Sequence, residues 1–431
     1  MAVKYLSLVR NSSQLKSLVS NSIWSILASI MQRGNIFLVN IIIARMIDAE
    51  LFGQYSLLKS TIQVFELSLG IAFGLSMTKF ISEHRYITNK KNIDINRIIK
   101  TNLYSSAFLS LILFGILELS SNYFANSILN KPELLNLFRI SIFYVLFSNI
   151  VQCFIGILKG DENFKGIFKF SFITGILNLF TVSILTFYFS LTGAVVALVL
   201  FSLFQLTTYL ISVSKRNNFI QVLTNQKIII DFKLIKKFNL PAILSGLAAP
   251  PAIWYINLSL SQTENGFIQL AHFNAAYLIF AVIVFVPISI SDAIFPLFSK
   301  YISRTEKFKQ FFLANLLLIF ALATMVSLVP LVFPELLMSL FGKEFIAGGD
   351  SLRYLAIAAI FSSLLTVLGK FNATINKMWM NLSFNMFWAG LLVLSSIYFV
   401  DQGAVGISKA YLTAYAILFA VQFTYSMKKI K

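Results

Sequence analysis

Long runs of apolar residues, separated by short polar segments, dominate the chain from about Leu18 to its end. A helix needs roughly 20 apolar residues to cross a bilayer, so each run of that length predicts one membrane span. The pattern predicts twelve spans, near residues 18–43, 52–81, 99–119, 136–158, 168–189, 192–213, 237–260, 270–298, 311–333, 352–373, 382–400 and 404–427. We therefore expect an all-α, multi-pass membrane protein.

The distribution of charge agrees with twelve spans and with both termini in the cytoplasm. In that arrangement 26 of the 35 Lys and Arg residues fall in cytoplasmic segments. Only Arg45, Lys131 and Lys343 fall in outer loops, which carry eight acids. Cytoplasmic loops of membrane proteins are enriched in Lys and Arg in this way. We therefore ascribe the net charge of +18 to membrane topology and to anionic lipid rather than to nucleic acid.

Composition excludes several classes of protein. With 58% hydrophobic and 12% charged residues, a soluble domain of this length could not cover its apolar residues. The single Cys and two His exclude a disulfide framework and a multi-cysteine metal site, and no GxxxxGK[ST] or GxGxxG segment is present. We expect no enzymatic activity, no cofactor and no metal. We also expect any transport to take place among the helices.

An internal repeat divides the chain into two parts. Phe147-Ser148-Asn149 returns 214 residues later as Phe361-Ser362-Ser363, and Thr192-Gly193-Ala194-Val195 returns 210 residues later as Gln402-Gly403-Ala404-Val405. The spacing predicts two six-helix halves of the same orientation, an arrangement typical of carriers that hold substrate between their halves. The predicted parts are residues 1–213, a cytosolic linker 214–237, and residues 238–431.

Polar residues within the spans are the candidate site residues, because charge in a membrane is costly. In span 1, Ser22, Ser25, Ser29, Arg33 and Asn40 share one face, with Arg33 near mid-depth. This stripe predicts the wall of a water-filled cavity, although Arg33 held by a neighbouring helix for packing is an alternative.

Span 2 carries a second set of polar residues on one face. Lys59 and Glu66 are seven residues apart, about 10 Å along a helix, with Gln63 between them. They could line a cavity or form a structural network that neutralises both charges.

Three cations lie near the predicted outer ends of spans, where a surplus of positive charge is unusual. They are Arg139, Arg353 and Lys409. The side chains could extend to the outer headgroups, or together with Lys59 they could bind a strongly anionic cargo such as a pyrophosphate. In span 7, Pro250 and Pro251 remove two backbone donors and predict a hinge or an unwound, cavity-facing turn at Ala249–Pro251.

The chain resembles the O-antigen and polysaccharide flippases (Wzx-type) of the multidrug/oligosaccharidyl-lipid/polysaccharide exporter superfamily. The segments that carry the resemblance are LVSNSIWSILASIMQRGNIFLVNIIIAR with LFGQYSLLKS, then LKGDENFKGIFK after span 4 and GKFNATINKMWM after span 10. The resemblance implies that the protein moves an undecaprenyl-diphosphate-linked oligosaccharide to the periplasmic leaflet by alternating access through a cationic cavity. Arg33 and Arg45 match cations common in that family.

The resemblance also implies the setting: a bacterial inner membrane, a lipid-linked glycan as substrate, and a polysaccharide polymerase and chain-length regulator as candidate partners. Three alternatives stay open. A multidrug/cation antiporter of the same superfamily would favour acids in its cavity, a lipid II flippase usually has two more helices, and an O-antigen polymerase typically has a large periplasmic loop.

Overall fold

The computed structural model describes residues 13–86, 95–214, 230–247, 249–301, 305–375 and 377–430. In these ranges the chain is almost entirely helical and contains no strand. The long helices and the two parts of the broken one are α1 (Ser13–Met46), α2 (Ala49–Tyr86), α3 (Ile95–Leu119), α4 (Leu135–Gly160), α5 (Phe164–Ser214), α6 (Leu240–Gly246), α7 (Pro250–Ser261), α8 (Gly266–Tyr301), α9 (Thr305–Val332), α10 (Gly349–Thr374), α11 (Met378–Phe399) and α12 (Gly403–Ile430). The all-α prediction is confirmed.

Eight segments of the described chain are long and apolar enough to cross a membrane. Two of them, Phe164–Ser214 and Trp379–Lys429, are 51 residues long, which is sufficient for two crossings each. Twelve crossings and cytoplasmic termini stay predictions.

Each 51-residue segment contains a sharp turn. In α5 the turn is at Ser190, which has a φ of 49°, and the carbonyl of Leu185 lies against Gly193. Eight residues of straight helix would separate those two positions by about 12 Å, so the chain folds back here. Between α11 and α12 the corresponding turn uses Gly403, with a φ of 65°.

An edge-on aromatic pair precedes both turns, 211 residues apart. The ring centroids of Phe187 and Tyr188 are 5.2 Å apart, and those of Tyr398 and Phe399 are 4.9 Å apart. Both tyrosine side chains are largely exposed, at 71% and 79%. Exposed Tyr at the end of an apolar helix is typical of the membrane–water interface. The structure thus repeats the same turn in both halves of the sequence.

Contacts group the chain into two compact units. One comprises residues 1–39 and 65–246, and the other comprises residues 40–64 and 247–431. The chain passes between units within α1, within α2 and immediately after α6. The sequence-based boundaries at 213 and 238 stay a prediction, because residues 215–229 of the linker 214–237 lie outside the described residues.

In the first unit, α4 packs against α3 and α5 and approaches α2 closely. A Cβ atom on Gly156 of α4 would lie 2.5 Å from the carbonyl oxygen of Gly74 in α2, and one on Gly160 would lie 2.7 Å from Cβ of Ile81. Small residues at such crossings let helix backbones approach in a membrane. The surrounding core includes the buried Phe73 and Phe154.

In the second unit, α10 is the central helix and packs against α8, α9 and α12. Its Phe371 lies 5.1 Å from Phe312 of α9, measured between ring centroids, within a buried apolar cluster. The first part of α2 also belongs here, since Gly53 lies against the backbone carbonyl of Phe267 at the start of α8.

The helix predicted as span 7 is interrupted. α6 ends at Gly246, and Pro250 and Pro251 begin α7. Proline suits the first turn of a helix, because its missing N–H would have no partner there in any case. The interruption lies directly before the proline pair and includes Ala249 of the predicted turn, whereas Pro250 and Pro251 are already helical. Its action as a hinge and its exposure to a cavity stay predictions.

Candidate functional site

Arg33 occupies the middle of the 34-residue helix α1 and its side chain is exposed. The flanking polar side chains instead point to α5. Gln32 Nε2 donates to Ser171 Oγ at 3.0 Å, and Asn35 Nδ2 donates to the Gly175 carbonyl at 2.9 Å. The amides therefore hold α1 against α5, whereas the guanidinium of Arg33 lies on the exposed face.

Lys59 and Gln63 are half-buried on α2, in the second unit. Lys59 Nζ lies 5.8 Å from the ring centroid of the buried Tyr55. Near it, Trp254 of α7 donates from Nε1 to Thr61 Oγ1 at 3.1 Å. The proline-initiated helix α7 is thus hydrogen-bonded to the α2 segment that carries Lys59.

Glu66 is a buried carboxylate further along α2, in the first unit. The hydroxyl of Tyr144 in α4 donates to Glu66 Oε1 at 3.3 Å. This partner could not be predicted from sequence, because Tyr144 is one aromatic residue among many in an apolar span.

Two of the predicted outer cations form ion pairs with nearby acids. Arg139 Nε lies 3.1 Å from Glu118 Oε1 and donates to Ser121 Oγ at 3.0 Å. Arg353 pairs with Glu335 at 2.9 Å and with Asp350 at 2.6 Å. These contacts join the ends of neighbouring helices, and a role for either arginine in substrate binding stays a prediction.

Lys409 lies next to Arg353 in the fold. Its Nζ donates to Gln402 Oε1 at 2.7 Å and lies 5.3 Å from the ring centroid of Tyr354, the residue after Arg353. The structure therefore brings Lys409 of α12 against Tyr354 of α10, the residue that follows Arg353.

Arg45 takes part in a contact at the end of α1. Its Nε donates to the Leu340 carbonyl at 2.7 Å. Three residues after α1 ends, the backbone N–H of Ala49 donates to Glu344 Oε2 at 2.9 Å. A carboxylate at the first residue of a helix stabilises it, so Glu344 fixes the start of α2.

Lys100 is a buried cation that the sequence did not single out. It is 2% exposed within α3, although its position next to a basic loop suggested the cytoplasmic surface. The adjacent Asn102 accepts a hydrogen bond from Asn239 Nδ2 at 3.0 Å. No group of three or more His, Cys, Asp or Glu residues that could hold a metal occurs in the part of the chain that the structure describes.

Comparison with known proteins supports an export function for relatives of this chain. Residues 18–302 match the model of the polysaccharide biosynthesis protein family. A region of 196 residues is 24% identical to the EPS I polysaccharide export inner membrane protein EpsE of Ralstonia solanacearum. That region is 44% of this chain and spans 45% of the relative.

Solved structures share the fold at low sequence identity. An inward-facing multidrug resistance MATE family transporter of the MOP superfamily has a TM-score of 0.81 at 15% identity, over 94% of this chain and 98% of that one. A MOP superfamily transporter from Pyrococcus furiosus, described as having a binding pocket of reverse polarity, has a TM-score of 0.68 at 16% identity, over 96% and 95%. An outward-facing MATE transporter also scores 0.68, at 17% identity over 96% and 95%. The chain has the fold of a MOP superfamily transporter and belongs to the polysaccharide biosynthesis protein family.

Proposed function

We propose that this protein moves a lipid-diphosphate-linked oligosaccharide from the cytoplasmic to the periplasmic leaflet of a bacterial inner membrane. The family match and the polysaccharide export relative support traffic of a polysaccharide precursor. The fold supports a carrier mechanism, since MOP superfamily structures include inward-facing and outward-facing forms.

The exposed position of residue Arg33, a cation in the middle of the apolar helix α1, is the observation that carries this proposal. A charged side chain at that depth requires water or a polar ligand, because exposure to hydrocarbon would cost several kcal/mol. A guanidinium can bind two phosphate oxygens at once, which suits the diphosphate that joins glycan and lipid. We assign Arg33 to the diphosphate.

Lys59 and Gln63 are the next candidates for substrate contact. Both are half-buried and lie on the same face of α2. An ammonium group adds positive charge for the diphosphate, and an amide can bond to a sugar hydroxyl or to a phosphate oxygen.

A multidrug/cation antiporter is the second candidate function, and Glu66 favours it. A buried carboxylate within a span is a candidate for cation or proton binding. Its hydrogen bond with Tyr144 fixes its position in the first unit. In the flippase, the same carboxylate would serve energy coupling rather than the binding of cargo.

The decisive experiment is deletion of the gene in its own host. If the protein is the flippase, lipid-diphosphate-linked glycan accumulates on the cytoplasmic leaflet and surface polysaccharide disappears. Wild-type protein supplied from a plasmid should restore the surface polysaccharide, whereas Arg33→Ala should not.

Two other outcomes would contradict the proposal. Single repeat units reaching the surface without polymerisation would identify a polymerase. Normal surface glycan combined with higher drug sensitivity would identify an antiporter.

A further inference from the structure

A polar cavity of about 640 Å³ lies between two turns of the second unit. One turn joins α7 to α8 and the other joins α11 to α12. The lining residues are Gln262, Thr263, Glu264, Asn265, Gln269, Asp401, Gln402 and Gly403. All of these except Gly403 have polar side chains, and the volume is in the range of small-molecule sites, about 300–1,000 Å³.

The walls of this cavity are held together by hydrogen bonds. Gln269 Oε1 accepts a hydrogen bond from the backbone N–H of Ala404 at 2.9 Å, which joins the two turns. The left-handed Gly403 leaves room for this bond, because a Cβ atom there would overlap with the Gln269 side chain. Asn265 also has a positive φ, of 52°, which shapes the other turn. The two turns are therefore held in a fixed position relative to each other, on either side of an open cavity.

The chemistry of the lining suits sugar hydroxyls. Glu264 and Asp401 supply carboxylate acceptors, and both side chains are exposed. Gln402 accepts from Lys409 through Oε1, which leaves its NH₂ group as a donor. The ammonium group of Lys409, bonded to Gln402, is outnumbered by the two carboxylates of the lining, so the site remains net acidic and is suited to the uncharged part of a glycan rather than to the diphosphate.

The position of the cavity also fits a glycan. Charge distribution predicts that Glu264 and Asp401 face the outer side, and the interfacial pair Tyr398 and Phe399 immediately precedes this turn. A sugar chain attached to a lipid on the outer leaflet would lie at this level.

We propose that this cavity is a saccharide site that holds the neutral sugars of the glycan on the outer face, apart from the residues that bind the diphosphate. The inference rests on the proposed function, because it assigns the sugars of the same substrate to a site separate from the one that binds the diphosphate.

Binding of the sugar part alone tests the proposal. The probe is the oligosaccharide released by mild acid from the lipid-linked glycan of the host, titrated into the purified full-length protein in nanodiscs. We expect saturable binding that weakens at least tenfold in Glu264→Ala with Asp401→Ala. A matched control is Glu133→Ala, which removes an exposed acid from the turn before α4 and should leave binding unchanged.

A more conservative variant guards against misfolding. Glu264→Gln with Asp401→Asn keeps hydrogen-bonding groups and should retain more affinity than the double alanine variant. Absence of saturable binding to wild-type protein, or equal binding by wild-type protein and the double alanine variant, would overturn the proposal. So would saturable binding of calcium chloride that displaces the oligosaccharide, which would make the cavity a cation site.

The deletion strain separates failure of this inference from failure of the proposed function. If wild-type protein restores surface polysaccharide while the oligosaccharide does not bind, the flippase function stands and the cavity assignment is wrong. If wild-type protein does not move the glycan at all, the proposed function is wrong whatever the binding result.

Discussion

The hydroxyl of Tyr144 donates a hydrogen bond to the buried carboxylate of Glu66, at 3.3 Å between the two oxygens. This bond joins α4 to α2 close to the glycine crossing of the same helices. A buried carboxylate needs such donors, because an unsatisfied polar group within protein costs about 1–3 kcal/mol.

Changes at this pair should separate stability from transport. Tyr144→Phe removes one hydrogen bond and should lower stability by about 0.5–1.5 kcal/mol. Glu66→Gln keeps an acceptor for Tyr144, so we expect near-normal thermal stability but impaired transport if the carboxylate couples energy. Thermal unfolding in detergent and a flux assay measure the two effects, and full flux in Glu66→Gln would exclude a coupling role.

Arg33→Ala should abolish transport while membrane insertion stays normal, since removal of a charge eases insertion by about 2.5–3.5 kcal/mol. Arg33→Lys should retain part of the activity, because an ammonium group keeps the charge but not the two-pronged geometry. Surface polysaccharide and membrane-bound protein are measured together.

Gln32→Ala is the matched control on α1. It removes the bond to Ser171 of α5 and should reduce stability more than transport. Normal transport by Arg33→Ala would rule out the assignment of Arg33 to the diphosphate.

Arg139 tests whether the outer cations bind substrate or join helices. If its pairing with Glu118 is structural, Arg139→Glu should impair the protein and the exchanged pair Arg139→Glu with Glu118→Arg should restore it. The pair is about 40% exposed on both sides, so its contribution to stability should be at most about 1 kcal/mol. Failure of the exchange to restore flux, in protein of normal stability, would instead support contact between Arg139 and substrate.

Replacement of the proline pair should slow the transport cycle. Pro250→Ala with Pro251→Ala restores two backbone donors and allows helix to continue from α6 into α7. We expect lower maximal flux with unchanged substrate affinity. Pro241→Ala is the control, because Pro241 lies in the helical stretch before the interruption, just after the π-helical turn Ile235–Asn239, and its replacement should leave flux near normal. Equal flux in the two variants would exclude a hinge at Pro250 and Pro251.

The crossing of α2 and α4 gives a prediction about stability alone. Gly156→Ala places a methyl group against the Gly74 carbonyl, and should destabilise the protein by about 1–3 kcal/mol. Gly115→Ala is the control, because nothing lies within 4 Å of its Cβ position and helix propensity should stabilise it by up to about 1 kcal/mol. Thermal unfolding of both variants compares the two effects. An unchanged unfolding temperature in Gly156→Ala would show that α2 and α4 can move apart without loss of stability.

Sequence patterns predicted the helices well, because apolar length is a local property. The run around Arg33 predicted α1, and Pro250 with Pro251 predicted an interruption at the place where α7 begins. The predicted boundaries between spans 5 and 6, at residues 189–192, and between spans 11 and 12, at residues 400–404, likewise lie at the two turns that the structure contains.

Those patterns could not predict which side chains pair with each other. Arg353 pairs with Glu335, 18 residues away across a loop, and Arg139 pairs with Glu118 across another. Helical periodicity gives the face on which a residue lies but not the residue that another helix brings to it. For the same reason, neither the burial of Lys100 nor the shared cavity of Gln402 and Gln269 could be predicted from sequence patterns.

The turn at Ser190 also bears on how the chain enters the bilayer. The two arms of α5 are joined by only a few residues, and the exposed Phe187–Tyr188 pair beside the turn is of the kind typical of the membrane–water interface. Because this connection is so short, the two arms of α5 have no polar loop between them that could be moved across the membrane in a step of its own. We therefore expect the translocon to release both arms together as a helical hairpin. The equivalent turn at Gly403 predicts a second insertion event of the same kind for α11 and α12.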